Sequence, residues 1–187
     1  MNIRGTGVAL VTPFKEDLSI DFDSLKKLVD YVSQGVEYLV VQGTTGESPT
    51  ISEDEKAEIL QFVKKNNSKN LPIVFGIGGN NTSQILDQLK TFDLNGVSAI
   101  LSVSPYYNKP PQSALIKHYE TIADYSPVPV ILYNVPGRTG SNISAKTTLN
   151  LSEHENIIGI KEASGDMEQI IEIALRKQED FALISGD

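Results

Sequence analysis

The sequence has no cysteine and no tryptophan, and only two histidines and two methionines among 187 residues. Without thiols there is neither a disulfide framework nor a thiolate metal site, which fits a reducing cytoplasm. His118 falls in a helical stretch and His154 among charged residues, so neither reads as catalytic and no metal constellation forms. No apolar run reaches the roughly 18 residues needed to cross a membrane. The N-terminal MNIRGTGVALVTPFKED holds an apolar run too short for a signal peptide and soon turns charged. Basic residues are also scarce: 16 Lys and Arg stand against 24 Asp and Glu, a net charge of −8. A nucleic-acid surface needs clustered cations, so that class is excluded.

What is present is a regular alternation. With 40% hydrophobic and 21% charged residues, the chain reads as one globular domain over residues 1–187. Short apolar runs at 7–12, 38–41, 71–75, 97–103, 128–133, 157–161 and 181–184 read as strands. Between them lie helical patterns. Phe22, Leu25, Leu28, Val29 and Val32 share a face after Asp21, and Ser52 with Glu55 forms a capping box. Further helices are expected from Thr82 to Leu94, through Leu115, Ile116 and Tyr119, after Ser144, and after Asp166. Nothing resembles a linker. Uninterrupted βα units imply a parallel sheet, either doubly wound or a (β/α)8 barrel.

The stretch IIGIKEAS, residues 157–164, delivers Lys161 at the C-terminal end of a buried strand. A lysine in solvent would pair with a neighbour such as Glu162. A lysine aimed into a cleft or barrel mouth must find a carboxylate or lose its proton, and a neutral amine attacks ketones to form Schiff bases. Thr44, Thr45, Tyr106, Tyr107, Tyr133 and Arg138 likewise follow the ends of successive strands. In a barrel these ends converge on one mouth, whereas an open sheet spreads them along an edge. The barrel accounts for more of the pattern.

The loop Gly43-Thr44-Thr45-Gly46-Glu47, the segment Ser104-Pro105-Tyr106-Tyr107-Asn108-Lys109-Pro110, the segment Tyr133-Asn134-Val135-Pro136-Gly137-Arg138-Thr139 and the strand GIKEAS carry a specific likeness. Together they closely resemble the dihydrodipicolinate synthase family of pyruvate-dependent class I aldolases, in order and spacing along the whole chain. The resemblance implies an α/β fold, the (β/α)8 TIM barrel, here cut off after strand seven. It implies a Schiff-base-forming carbon–oxygen lyase that condenses pyruvate with L-aspartate 4-semialdehyde in diaminopimelate and lysine biosynthesis. It further implies a cytoplasmic homotetramer, a dimer of dimers, with no metal and no organic cofactor.

The resemblance also assigns roles. Lys161 is the Schiff-base lysine. Tyr133 is the proton shuttle, tuned by Thr44 and by Tyr107, the latter carried into a neighbouring subunit's site; a phenol is a poor shuttle without such partners. Thr44 and Thr45 take the pyruvate carboxylate, and the loop's backbone N–H groups are expected to be free for an anion. Arg138, whose planar fork suits a carboxylate, takes the semialdehyde. Gly186 turns its carbonyl toward the site. Gly76-Ile77-Gly78-Gly79 lacks the third glycine of a dinucleotide fingerprint and reads as a tight turn, and the Gly43 loop lacks the lysine of a P-loop.

Two departures from the family pattern stand out. Ser48, Asn80 and Tyr106 match the set that holds the lysine inhibitor in feedback-regulated members, but Lys56 and Gln84 replace a histidine and a glutamate. Weak inhibition by lysine is expected. The family's eighth strand and C-terminal helices are also missing, so the chain is expected to be part of a longer one. Other readings are a further pyruvate-dependent aldolase, such as N-acetylneuraminate lyase, or a silent barrel fragment. A phosphate-binding barrel isomerase is less favoured, since its phosphate loops would follow strands seven and eight.

Overall fold

In the computed structural model, residues 3–186 are described. The chain divides into two compact units, residues 1–76 with 95–98, and residues 77–94 with 99–187.

In the first unit, apolar runs form β1 (Gly7–Ala9), β2 (Tyr38–Val41) and β3 (Ile73–Gly76), paired in parallel in that order. All of β2 is buried, as expected of a parallel strand covered on both faces. Pairing stops at Ala9, three residues before the apolar run ends, and Val11 is exposed. Two helices accompany the strands, α1 (Phe22–Val32) and α2 (Glu53–Asn66). Asp21 caps α1 by accepting from the Ser24 amide, and the Ser52–Glu55 box caps α2 as its sequence predicts. Leu25 and Val29 of α1 and Ile59, Leu60 and Val63 of α2 are buried, and the Phe22 and Phe62 rings meet at 4.8 Å.

The second unit holds α3 (Thr82–Thr91), β4 (Ala99–Val103), α4 (Gln112–Tyr125), β5 (Val130–Asn134), the single turn α5 (Pro136–Thr139), α6 (Ala145–Leu151), β6 (Ile157–Glu162), α7 (Met167–Arg176) and β7 (Ala182–Ser185). Its strands are parallel and lie in chain order. Asn81, Ser144 and Asp166 each accept from the amide three residues on, capping α3, α6 and α7. The third helix ends at Thr91 rather than Leu94. Phe92 turns to extended backbone, and both it and Leu94 are buried there.

The glycine run after β3 is not a tight turn. Gly76, Gly78 and Gly79 are absent from the residues with positive φ. A Cβ on Gly76 would lie 2.0 Å from the Gln42 carbonyl oxygen, and one on Gly78 2.6 Å from the Val103 nitrogen. Close backbone approach, not turn geometry, demands glycine here.

Candidate active site

The register of β5 on β6 sets Tyr133 opposite Lys161 and Asn134 opposite Glu162. Because side chains alternate along a strand, the two pairs face opposite sides of the sheet. On one side, the Lys161 ammonium nitrogen Nζ lies 4.6 Å from the centroid of the Tyr133 ring. The contact sets the side-chain nitrogen beside the phenol ring. Tyr133 is 6% exposed and Lys161 half-buried. Gly186 closes against the pair: its amide donates to the Glu162 carbonyl at 2.8 Å, and a Cβ there would sit 2.9 Å from Cε of Lys161.

On the other side lies a buried polar cluster that periodicity does not reveal. Glu162 is 1% exposed, so it is not the solvated ion-pair partner that the IKE run suggests. Its carboxylate accepts from Nδ2 of Asn134 at 3.0 and 3.1 Å, from Nε2 of Gln169 at 2.9 Å and from the Ser164 amide at 3.0 Å. Asn134 is oriented by the Ile143 amide, which donates to its Oδ1 at 2.9 Å, and it also donates to Oδ1 of Asn142. The only signal in the sequence is a polar residue directly after each of Tyr133 and Lys161.

Two loops of the same unit are tied together. Thr139, buried in α5, donates to the carbonyls of Val135 and Ser141 and accepts from the Ser141 amide. Its own carbonyl accepts from the Tyr107 amide at 3.3 Å. The preceding residue, Arg138, is exposed. Tyr107 is 89% exposed with φ of 73°, a left-handed conformation that is uncommon for a residue of this size.

Thr44 and Thr45 belong to the first unit, where they open a 3₁₀ turn and are exposed. The turn uses two of the loop's amides itself: Gly46 donates to the Gly43 carbonyl and Glu47 to that of Thr44. An anion cradle from this loop is therefore narrower than its glycines suggest. Thr12 pins the turn by donating to the Gly46 carbonyl at 2.7 Å, and Gln42, at φ 59°, donates to Thr12. Neither residue stands out in the sequence.

His118 is buried on α4, and burial lowers its pKa to about 4. Its Nδ1 lies 2.7 Å from the Thr82 hydroxyl. His154 lies 3.1 Å from the exposed Asp124. Among the described residues no helix is long and apolar enough to cross a membrane.

The family model for the dihydrodipicolinate synthetase family matches residues 2–187. The chain belongs to this family.

Two relatives named 4-hydroxy-tetrahydrodipicolinate synthase fit that placement. The one from Cytophaga hutchinsonii is 53% identical over 98% of this chain and 62% of its own length. The one from Flavobacterium psychrophilum is 55% identical over 98% and 63%. The crystal structure of a dihydrodipicolinate synthase from Bacillus anthracis superimposes with a TM-score of 0.95 at 44% identity, covering all of this chain and 65% of that one. The chain thus spans less than two thirds of the length of these dihydrodipicolinate synthase relatives. Its fold is α/β, the seven-stranded part of a TIM barrel.

Proposed function

We propose that the protein, as a single barrel domain over residues 1–187, is a Schiff-base lyase of the 4-hydroxy-tetrahydrodipicolinate synthase type. The observation that carries this reading is Lys161 Nζ held 4.6 Å from the Tyr133 ring centroid at the C-terminal ends of neighbouring strands. The amine of Lys161 attacks the ketone of pyruvate, water leaves, and an iminium bond joins substrate to lysine. The iminium draws electrons from the methyl group, which loses a proton to give an enamine. The enamine carbon then bonds to the aldehyde of aspartate 4-semialdehyde. Its amine displaces Lys161 from the imine carbon, closing the ring and regenerating the free lysine.

Tyr133, Thr44 and Tyr107 are assigned the proton transfers, with the Tyr133 ring beside the nitrogen that gains and loses protons. Thr44 and Thr45 are assigned the pyruvate carboxylate, and exposed Arg138 that of the semialdehyde. The Gly186 carbonyl completes the substrate contacts. A pyruvate complex is known for the dihydrodipicolinate synthase of Acinetobacter baumannii, 41% identical with a TM-score of 0.95, which supports the first substrate. No metal or organic cofactor enters this scheme. We assign the enzyme to the cytoplasm and to a homotetramer in which Tyr107 reaches a neighbouring copy. Its 89% exposure on a loop held by Thr139 fits that role. A monomeric dihydrodipicolinate synthase variant among the structural relatives means that assembly needs its own test.

The deciding experiment is borohydride reduction in the presence of pyruvate, followed by peptide mapping. A pyruvate adduct on Lys161 supports the lyase; its absence in folded protein overturns the reading.

A further inference from the structure

The polar cluster behind the reactive pair has more structure than burial alone requires. Tyr133 and Asn134 are consecutive in β5, and Lys161 and Glu162 are consecutive in β6. Whatever fixes Asn134 against Glu162 on one face fixes Tyr133 against Lys161 on the other. The pairing shifts between Val130 and Ile131 and then runs regularly through Tyr133↔Lys161 and Asn134↔Glu162. A buried side-chain pair across the two strands adds to the backbone ladder in holding that register.

We infer that the buried Asn134–Glu162–Gln169 clasp is the positioning device of this site, with Glu162 as its central positioning residue. The inference rests on the reading of Lys161 as the Schiff-base lysine. Three features carry it. All four bonds given to the Glu162 carboxylate come from neutral N–H donors, so each of them uses it as an acceptor. Asn134, with no exposed surface, cannot reverse its amide without facing the Ile143 N–H with its own NH2 group. The clasp is anchored outside the strands as well. Gln169 on α7 bridges to Asn142 at 2.9 Å, and the Asn142 carbonyl accepts from Gln112 of α4 at 2.8 Å. Two helices and two strands thus hold one cross-strand pair. Buried networks of this kind are worth most when every member is satisfied, and removing one partner strands the others.

The catalytic consequence is geometric. A lysine shifted by about 1 Å from a phenol and a carbonyl loses on the order of a hundredfold in rate, so partial loosening should cost about tenfold. The test is the rate of pyruvate trapping on Lys161 by borohydride, normalised to folded protein by circular dichroism. Wild type is compared with E162Q, N134D, the exchanged pair N134D/E162Q, and Q169A. E162Q faces donor with donor and should trap about tenfold more slowly at saturating pyruvate, with little change in half-saturation. N134D sets two carboxylates together and should be at least as slow. The exchanged pair restores one donor opposite one acceptor and should recover part of the rate. Q169A removes one donor to Glu162 together with the bridge to Asn142, keeps the test usable should E162Q fail to fold, and should lose about threefold. Wild-type trapping rates in folded E162Q or Q169A would overturn the clasp while leaving the Schiff-base reading intact. Failure of wild type to trap pyruvate would instead overturn the lyase reading, and the clasp's role with it.

Discussion

On α4, His118 is 7% exposed, and its Nε2 has no hydrogen-bond partner among the described residues. Desolvation favours the neutral ring and pulls its pKa from 6.5 to about 4. In the unfolded chain the ring takes a proton near its ordinary pKa, while in the folded chain it resists until about pH 4. Between these values the unfolded state binds more protons, so stability falls as the pH drops through this window. The full effect approaches about 3 kcal/mol below the folded pKa. H118Q removes the titration and keeps a side-chain amide for Thr82. Urea midpoints measured at intervals from pH 7 to pH 4 should fall less steeply for H118Q than for wild type. Parallel slopes would show that His118 is not the group responsible.

At the scale of elements, much was legible because the signals are local. Asp21, Ser52, Asn81, Ser144 and Asp166 all cap helices, and each is a residue type whose side-chain oxygen satisfies an orphan amide. Replacing Ser144 by Ala should cost about 1 kcal/mol, read as a lower urea midpoint with an unchanged slope. An unchanged midpoint would mean that the bond from the Thr147 amide to the Ser144 hydroxyl, and the one from that hydroxyl to the Thr147 hydroxyl, contribute nothing. The misses are tertiary. The end of α3 at Thr91 follows from where Phe92 and Leu94 are buried, and the glycines at 76 and 78 answer backbone atoms of residues 42 and 103. The motifs pick out Tyr133 and Lys161, which the structure sets opposite each other on β5 and β6. The clasp behind it could not, because a Glu after a Lys reads equally as a solvated pair until its burial is known.

For the whole molecule, the question is what a strongly acidic protein does with acidic and basic small molecules. At a net charge of −8 the overall field of the chain disfavours anions, so under the proposed function the pyruvate carboxylate is left to local groups such as the Thr44–Thr45 turn. That field favours a cation such as lysine, so the case against feedback by lysine is local and rests on the family correspondence of Lys56 and Gln84. Lys56 is already paired with Glu53 at 2.9 Å, and Gln84 offers an amide in place of a carboxylate. A titration with L-lysine should leave activity nearly unchanged at concentrations that silence a sensitive relative; strong saturable inhibition would refute this. Assembly has the sharper test. Under the proposed tetramer, K161A and Y107F each spoil a different half of one site, because Tyr107 serves the neighbouring copy. In a random equal mixture, half of the dimers are mixed and each holds one intact site of two, so co-expression should recover about one quarter of wild-type activity. Activity that never exceeds the average of the two separate variants would place Tyr107 in its own subunit's site, or outside the proton relay.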